Sequence, residues 1–205
     1  MAEDTRVDDM PSLERIVWHK LRVKRGDKAP YCGFGATRDA LAELFAELGY
    51  TLGAEIGVCR GHYSETLCKK NPRLKLLCVD PWAPYALRTE QVQQAHCDEA
   101  TARLAKYDVT IIKKASMEAV KDVADGSLDF VYIDADHLFE SVILDIIHWS
   151  RKVRVGGIVS GHDYCCDYQS GVMAAVDAYV KGTGIQTWYV TIHDHSPSWL
   201  WLKRR

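Results

Sequence analysis

The chain has 205 residues, a formal net charge of −2 and a hydrophobic fraction of 47%. This length suits one domain with a substantial core, and the composition is ordinary for a globular protein. The nearly balanced charge does not favour nucleic acid as a partner. Because no apolar run approaches the ~18 residues that a membrane span needs, we expect no membrane partner either.

The cysteines favour a reducing compartment. There are 7 of them, an odd number, and none forms the C-x-x-C pair that is typical of zinc sites. Several lie inside apolar runs, as Cys78 does in LKLLCVD, which is typical of buried thiols in the cytosol. The acidic, polar segment MAEDTRVDDMP is not typical of a signal peptide. We therefore predict a cytoplasmic protein, and leave open whether it forms a homo-oligomer.

Helix and strand patterns alternate along most of the chain. Two helices are predicted first, over residues 12–23 and 36–49, with a loop over 25–35 between them. The strands predicted next are 53–58, 74–80, 109–114, 128–134 and 156–163, and the helices that follow them are 62–70, 90–106, 116–123, 139–153 and 171–181. Two β-type runs, 185–193 and 198–204, are joined by a short turn, so we expect them to pair antiparallel.

This alternation predicts the fold class. Successive strand–helix units indicate an α/β protein with a mostly parallel sheet and helices on both faces. Since crossovers between parallel strands are right-handed, the sheet is expected to be doubly wound. We expect residues 37–205 to form this single domain. Residues 1–36 are predicted to form an N-terminal arm and helix that pack on the functional site or cover it.

The first strand–helix turn, GVCRG, indicates a ligand without a pyrophosphate. Gly57 and Gly61 flank the turn, and glycine allows a ligand to approach closely. The turn matches neither the G-x-G-x-x-G pattern of dinucleotide sites nor a phosphate loop. Asp80 ends the second strand, where an acidic residue can bind both ribose hydroxyls, and Trp82 can stack on an adenine. An adenosine ligand is predicted; the alternative is that the glycines and Asp80 only form turns, the latter before Pro81.

Four segments occur in the order AEIGVCRGHYSETL, CVDPW, FVYIDADHLFESVILDI and VRVGGIVSGHDY. Together they resemble the class I S-adenosylmethionine-dependent methyltransferases. Within that class they are similar to the metal-dependent small-molecule O-methyltransferases, a group that includes macrolide sugar O-methyltransferases and related cephalosporin-biosynthesis proteins. The resemblance covers about residues 50–203. It implies a Rossmann-like sheet of seven strands in the order 3-2-1-4-5-7-6, with the last strand antiparallel.

The resemblance also implies a role for each matching residue. Asp134, at the end of the fourth strand, is expected close to the amino group and the reactive methyl of S-adenosylmethionine. The other implied cofactor contacts are Glu55, Gly57 and Gly61 at the methionine part, Asp80, Pro81 and Trp82 at the adenosine, and Ala115, Ser116 and Met117 at the adenine edge.

Two acidic strand ends predict a metal site. Asp134 and Asp163 follow strands that are neighbours in this fold, about 4.8 Å apart, so their carboxylates can converge at the carboxyl edge. Converging carboxylates repel unless a cation or a shared proton lies between them, and oxygen ligands suit Mg²⁺. His162 is a third candidate ligand, although an imidazole shifts the preference toward a transition metal. The resemblance implies an acidic residue here, so His162 departs from the family pattern.

His137 is the predicted general base, and with Asp134 it completes the predicted catalytic pair. Methyl transfer needs an aligned and preferably deprotonated nucleophile. An imidazole with a pKa of about 6.5 can accept that proton, and the resemblance implies the same role. Asp136 is expected to cap the next helix, which begins near Leu138. The alternative for His137 is an ordinary exposed residue in the first turn of that helix.

The leading hypothesis is methyl transfer to a hydroxyl group of a small molecule, with Mg²⁺. The alternatives are metal-free N- or O-methylation with His137 as the base, and a non-catalytic adenosine-binding module. An NAD-dependent oxidoreductase is disfavoured by the glycine pattern. The cluster HDH at 193–195 is interpreted as turn residues. Loops carry specificity, and the expected acceptor contacts are Tyr85, Arg88, Tyr164 and Tyr168.

Overall fold

The computed structural model describes residues 12–23, 29–33, 36–85, 88–165, 171–192 and 195–204. Its strands are β1 (Tyr31–Gly33), β2 (Leu52–Ile56), β3 (Lys75–Val79), β4 (Val109–Ile112), β5 (Leu128–Ile133), β6 (Val153–Gly161), β7 (Tyr189–Thr191) and β8 (Trp199–Leu202). They form one 8-stranded sheet in the order β1-β7-β8-β6-β5-β2-β3-β4. Strand β8 is antiparallel to β6 and β7, and the other neighbours pair parallel.

The α/β class is confirmed, and the predicted number of strands is wrong by one. The predicted strands correspond to β2–β8, in the expected order and with β8 antiparallel. The additional strand β1 lies within 25–35, which we predicted to be a loop. It extends the sheet beyond β7, with Tyr31 opposite Tyr189. A strand of 3 residues is too short to show an alternating pattern, so its pairing partner, rather than its local sequence, determines it.

The helices in the described residues are α1 (Ser12–Lys20), α2 (Arg38–Glu47), α3 (His62–Lys70), α4 (Glu90–Leu104), α5 (Ser116–Ala119), α6 (Phe139–Lys152) and α7 (Val172–Thr183). A short 3-10 helix, Val120–Asp122, follows α5. Local sequence explains their limits. The Thr89 hydroxyl accepts a hydrogen bond from the Val92 N–H at 3.3 Å and caps α4. Gly184, with φ +71°, ends α7.

The side chains of β5 alternate between two cores, one on each face of the sheet. Phe130 and Tyr132 point into the core that contains α1–α4, whereas Val131 and Ile133 point into the core that contains α5–α7. Gly53 on β2 leaves room for the Phe130 ring, because a Cβ atom there would lie 2.2 Å from it. This packing fixes β2 beside β5 and sets the relative positions of the two strand ends at which the predicted sites meet.

The N-terminal helix α1 packs against this body. Val17 and Trp18 are buried in the core shared with α2, and Glu14 forms an ion pair with Arg204. Whether residues 1–36 also cover the site stays a prediction. Within the described part of the chain, no helix combines the length and the apolar character that crossing a membrane requires.

Candidate active site

Gly57 lets strands β2 and β5 end side by side. Its φ is +90°, and its N–H donates to the Val79 carbonyl oxygen at 2.8 Å. A Cβ atom here would lie 2.0 Å from the Asp134 carbonyl oxygen, so no larger residue fits. The Asp134 N–H donates to the Ile56 carbonyl oxygen at 2.7 Å. Glycine therefore brings the β2–α3 turn into contact with the residue predicted to be catalytic.

The rest of the β2–α3 turn is also in an unusual conformation. Gly61, with φ +74°, directly precedes α3, and a Cβ atom there would lie 3.2 Å from the Leu104 side chain of α4. Cys59 has φ +50°, a region that residues other than glycine rarely adopt. Backbone strain of this kind persists where surrounding contacts enforce it, and it clusters at functional sites.

Asp80 supplies those contacts. Its Oδ2 atom accepts hydrogen bonds from the N–H groups of Val58 at 3.0 Å and Cys59 at 2.9 Å. Its Oδ1 atom accepts one from the Trp82 N–H at 2.7 Å. The carboxylate thus ties the end of β3 to the β2–α3 turn. Each carboxylate oxygen has two lone pairs, so one acceptor position, on Oδ1, remains for a ribose hydroxyl, and that contact stays a prediction.

Trp82 stabilises the β2–α3 turn from the side of the core. The side chain is only 3% exposed, and its indole N–H donates to the Cys59 carbonyl oxygen at 2.8 Å. Pro81 beside it is exposed. In the conformation described, the Trp82 ring belongs to the core rather than to an open surface. Its stacking on an adenine stays a prediction that requires the ring to become accessible.

Glu55 lies buried beneath the same turn. It is 2% exposed, and its carboxyl group accepts a hydrogen bond from the Ser64 hydroxyl of α3. Burial raises the pKa of Glu55 to about 8, although the Ser64 hydrogen bond opposes the shift. The carboxyl group is therefore mostly protonated at neutral pH. Glu55 supports the turn from below, and its direct contact with a cofactor stays a prediction.

Replacing Glu55 with glutamine should change how stability depends on pH. The pKa of Glu55 is raised in the folded state, so the folded protein holds more protons than the unfolded chain between about pH 4.5 and pH 8. Wild-type stability must then fall as pH rises through this window. We expect the unfolding free energy of Glu55→Gln to rise relative to that of the wild type by roughly 4 kcal/mol between pH 5 and pH 9. Urea unfolding of both proteins across this range measures it.

The matched control is Glu43→Gln. Glu43 is half-buried, with 42% of its side chain exposed, and hydrogen bonds from Lys70 and Lys20 lower its pKa. Its contribution to stability is complete above the unfolded-state pKa and is lost only as pH falls. The control should therefore show no growing advantage above pH 5, and equal behaviour of the two variants would refute the buried proton at Glu55.

Ser116, predicted at the adenine edge with Ala115 and Met117, engages a buried carboxyl group. Its hydroxyl donates to Asp145 of α6 and accepts a hydrogen bond from the Trp149 indole N–H at 2.8 Å. Burial raises the pKa of Asp145 to about 6. Ala115 is exposed and Met117 is half-buried. Ser116 thus joins α5 to α6, and the adenine contact of all three residues stays a prediction.

The four residues of the second predicted site come together at the carboxyl edge. Nδ1 of His162 lies 3.7 Å from Oδ1 of Asp134 and 3.3 Å from Oδ1 of Asp163. Nε2 of His137 lies 2.9 Å from Oδ2 of Asp163 and 4.0 Å from Asp134. Strands β5 and β6 pair parallel, as the predicted convergence requires. Asp163 has φ +59°, a backbone outlier at this edge like Cys59 and Trp82.

Charge and burial set the protonation of this cluster. Burial lowers the pKa of His162, but hydrogen bonds with Asp134 and Asp163 outweigh it and raise the pKa to about 9. The hydrogen bond with Asp163 raises the pKa of His137, against an opposing effect of burial. Burial raises the pKa of Asp163, but the hydrogen bonds with His137 and His162 have the larger effect, so the pKa lies well below its usual range. Without a metal, protonated His162 therefore offsets the negative charge of the two carboxylates.

The same cluster has a geometry that suits a divalent cation. One ligand atom from each of Asp134, His162 and Asp163 lies within 4.8 Å of the others. Two carboxylate oxygens and one imidazole nitrogen fit Mg²⁺ less well than Mn²⁺ or another transition metal, since Mg²⁺ prefers oxygen ligands. Binding would have to displace the proton from His162. The residues fit a metal, and its presence stays a prediction.

Asp136 stabilises the start of α6 rather than the cluster. Its Oδ1 accepts a hydrogen bond from the Leu138 N–H at 3.0 Å, and its Oδ2 accepts one from the Ser141 hydroxyl at 2.9 Å. Leu138 is the residue that immediately precedes the helix. Asp136 therefore caps the helix as expected, but from a position two residues before the N-cap residue, Leu138. His137 is left beside it with 49% of its side chain exposed.

The expected acceptor contacts are spread around the site. Tyr85 is 57% exposed, and Arg88 lies over its ring at 5.3 Å. The Tyr164 hydroxyl instead donates to Asp177 of α7 at 2.8 Å, which turns it toward that helix. Tyr168 lies outside the described residues, as do two members of the HDH cluster at 193–195. Contacts of these residues with an acceptor stay predictions.

Sequence reasoning missed one residue at this edge, Arg38. It lies at the start of α2, before the first strand–helix unit, and no motif marks it. Its Nη1 atom lies 3.9 Å from Oδ2 of Asp134, and its guanidinium group lies over the Tyr63 ring at 5.2 Å. A cation therefore approaches the predicted site from an element that the motif search did not include.

The fold and this edge together define an α/β methyltransferase architecture, and comparisons agree. The sequence profile of a methyltransferase-domain family matches residues 54–164, more than half of the chain. No curated protein sequence matches. The chain belongs to this methyltransferase-domain family, within the class I S-adenosylmethionine-dependent enzymes.

Solved structures share the fold at low identity. The O-methyltransferase from Bacillus cereus in complex with SAH has a TM-score of 0.61 and 15% identity, covering 98% of this chain and 96% of that one. The O-methyltransferase TomG from Streptomyces achromogenes, involved in tomaymycin synthesis and bound to SAM, has a TM-score of 0.58 and 15% identity. The match covers 95% of this chain and 100% of that one. An rRNA methylase from Streptococcus thermophilus has a TM-score of 0.60 and 12% identity, and the match covers 83% of this chain and 99% of that one. The fold alone therefore does not identify the acceptor.

Proposed function

We propose that this protein transfers the methyl group of S-adenosylmethionine to a hydroxyl group of a small molecule in the cytoplasm. The observation that carries the proposal is the contact between the two predicted sites. The Gly57 turn touches the backbone of Asp134, and Asp134 belongs to the cluster with His137, His162 and Asp163. A cofactor-binding turn and a proton-accepting group thus share one edge of the sheet, which is where ligands bind in open α/β folds.

The acceptor class follows from charge and from the relatives. The net charge of −2 gives the chain no overall basic character of the kind that favours an RNA substrate. The B. cereus and S. achromogenes structures are O-methyltransferases, and TomG is involved in tomaymycin synthesis. We therefore favour a small hydroxylated acceptor over ribosomal RNA, the implied acceptor of the S. thermophilus methylase.

His137 is the proposed general base. Its Nε2 lies 2.9 Å from Oδ2 of Asp163, so this nitrogen carries the proton donated to the carboxylate in the neutral ring. Nδ1 is then the atom that accepts the proton of the acceptor hydroxyl. Asp163 acts as a positioning residue, because it fixes the tautomer and orientation of the ring. The half-exposed imidazole remains accessible to an acceptor.

A divalent cation is the second part of the proposal. Asp134, Asp163 and His162 would hold it, with Mg²⁺ as the family expectation and Mn²⁺ as the better match to an imidazole ligand. When bound, the ion supplies a positive charge that lowers the pKa of a coordinated hydroxyl and orients it. The alternative is metal-free N- or O-methylation, in which protonated His162 neutralises the carboxylates instead.

Metal removal distinguishes these alternatives. We expect EDTA-treated protein to lose methyl transfer by about a hundredfold, and Mg²⁺ or Mn²⁺ to restore it. Calorimetry with Mn²⁺ gives a readout that does not depend on activity: Asp163→Asn should lose binding, and Asp136→Asn should retain it, because Asp136 caps a helix. Full activity in EDTA would rule out the metal. A failure of the wild type to bind S-adenosylhomocysteine would contradict cofactor use altogether.

A further inference from the structure

Cys59 forms a cluster with two side chains from the segment that follows β3. Nδ1 of His96, on α4, lies 3.8 Å from Sγ of Cys59. Nη1 of Arg88, which precedes α4, donates to the same sulfur atom at 3.7 Å. A thiol is a weak donor and its sulfur a weak acceptor, so these contacts join a thiol, an imidazole and a guanidinium group. Reactive cysteines are found in surroundings of this kind, next to histidine or arginine.

Cys59 also differs from the other cysteines in its accessibility. Among the cysteines that the structure describes, Cys59 is exposed, Cys32 and Cys165 are half-buried, and the remaining three are buried. Burial raises the pKa of Cys68 to about 12 and the pKa of Cys78 well above its usual value. Buried thiols of this kind are inert. Within the described part of the chain, a reagent in solution therefore reaches the thiol of Cys59 most easily.

The imidazole of His96 can take the proton of this thiol. His96 is 8% exposed, and burial is the main reason why its pKa is lowered, with Arg60 and Arg88 adding to the effect. The nearby carboxylates of Glu99 and Asp80 have the smaller, opposing effect. The ring is therefore neutral at pH 7. The tautomer that carries its proton on Nε2 leaves Nδ1 as an acceptor that faces the sulfur.

Arg88 favours a reagent that carries carboxylate groups. Its side chain is exposed, and its guanidinium group lies at the sulfur that would react. A guanidinium group attracts a carboxylate and can bind it through two parallel hydrogen bonds. Arg60 directly follows Cys59 in the chain, but its Nε faces Glu99 of α4 at 3.7 Å. Arg60 is therefore a matched control, because it has the same charge and lies in the same turn but faces a different partner.

We propose that Cys59 is a site of reversible covalent modification by small disulfides that carry carboxylate groups. The Cys59 sulfur attacks one sulfur of the disulfide and forms a new S–S bond with it, while His96 takes the thiol proton. The original S–S bond breaks, and the leaving sulfur departs with the electron pair and receives that proton. Cys59 is thereby oxidised to a mixed disulfide, and the released half of the reagent is reduced to a thiol. Excess free thiol reverses the exchange.

The modification also has a consequence for the predicted cofactor turn. The Cys59 N–H donates to Oδ2 of Asp80 at 2.9 Å, and its carbonyl oxygen accepts a hydrogen bond from the Trp82 indole at 2.8 Å. Both partners are residues predicted to contact the adenosine. A group attached to the sulfur and a bound cofactor should therefore exclude each other. This consequence rests on the proposed use of S-adenosylmethionine, whereas the reactivity of Cys59 does not.

The test measures the rate of exchange with two disulfides by stopped-flow absorbance. Dithiobis-nitrobenzoate carries carboxylates, and dithiodipyridine is neutral. We expect a fast phase in the wild type that is absent from Cys59→Ser. His96→Asn keeps a polar group near the sulfur but accepts no proton, so it should slow both reagents by about tenfold or more. Arg88→Ala should slow dithiobis-nitrobenzoate by about tenfold and dithiodipyridine much less, and Arg60→Ala should leave the ratio of the two rates unchanged.

Three results would overturn the proposal or a part of it. A fast phase that survives in Cys59→Ser would mean that another thiol reacts. Wild-type rates in both His96→Asn and Arg88→Ala would show that the cluster does not activate the thiol. Equal slowing of the two reagents in Arg88→Ala would refute the preference for carboxylates. Thermal unfolding shows whether each variant remains folded, and His96→Gln provides a second variant if His96→Asn is unstable.

Saturating S-adenosylhomocysteine tests the consequence for the cofactor turn. We expect it to slow the reaction of Cys59 by about tenfold or more, and we expect the mixed disulfide to bind no S-adenosylhomocysteine until a free thiol is added. An unchanged reaction rate in the presence of bound S-adenosylhomocysteine would refute the mutual exclusion. If the wild type does not bind S-adenosylhomocysteine at all, the proposed function fails, while the exchange rates of the variants still decide whether Cys59 is the modification site.

Discussion

Replacing His137 with alanine should reduce methyl transfer by about a hundred- to ten-thousandfold, the usual contribution of a general base. The imidazole lies 2.9 Å from Asp163 and is half-exposed, so it is both oriented and accessible. Binding of S-adenosylhomocysteine should be unchanged, because His137 is not among the residues predicted to contact the cofactor. Turnover assays and calorimetry on the same preparation measure the two quantities separately.

The matched control is His148→Ala, a half-buried histidine farther along α6, which should retain full turnover. Added imidazole should partly restore the His137→Ala variant, since it can replace a lost proton acceptor. If the His137→Ala variant turned over at the wild-type rate, the assignment of His137 as the general base would be wrong. A loss of cofactor binding of the same size as the loss of turnover would instead indicate that His137 holds the site together.

Substituting Gly57 with alanine should disrupt the site most severely. The added Cβ would lie 2.0 Å from the Asp134 carbonyl oxygen, and the φ of +90° is itself unfavourable for alanine. Strands β2 and β5 would have to separate where the two predicted sites meet. We expect a loss of about 3 kcal/mol or more in unfolding free energy, and loss of S-adenosylhomocysteine binding.

Two other glycines provide a graded comparison by urea unfolding. Gly61→Ala meets the Leu104 side chain at 3.2 Å and should have an intermediate effect, because a side chain can move more easily than a backbone carbonyl. Gly49→Ala meets nothing within 4 Å and should cost only the strain of its φ of +71°, about 1 kcal/mol. Equal losses for Gly57→Ala and Gly49→Ala would show that the close approach of β2 and β5 is unimportant.

The regular part of the fold could be predicted from sequence because each strand–helix unit repeats the same pattern. Strand β5, for example, occupies Leu128–Ile133, and its last four residues form an apolar run that directly precedes Asp134. Strand β1 could not be predicted, since its existence depends on a partner far along the chain. The pairing of Tyr31 with Tyr189 is a tertiary contact that leaves no periodic signal in a segment of 3 residues.

The candidate site also contains residues that could be predicted from the sequence and residues that could not. Asp134, His137 and Asp163 were predictable because strand ends in a parallel sheet converge at one edge. Arg38 was not, because its role depends on how α2 packs on Tyr63. The state of Trp82 was also not predictable: a tryptophan next to a site residue can face a ligand or the core, and here it is 3% exposed. Side-chain packing, rather than spacing, decides such cases.

Strand β1 also affects the order in which the sheet can form during synthesis. Among the described strands its residues leave the ribosome first, yet its partner β7 emerges only after β2–β6. The ion pair between Glu14 and Arg204 joins segments that are still farther apart in the chain. Such contacts close long loops and are slow to form. The parallel centre around β2 and β5 can therefore assemble on the nascent chain, whereas its outer edge must wait until β7 and β8 have been synthesised.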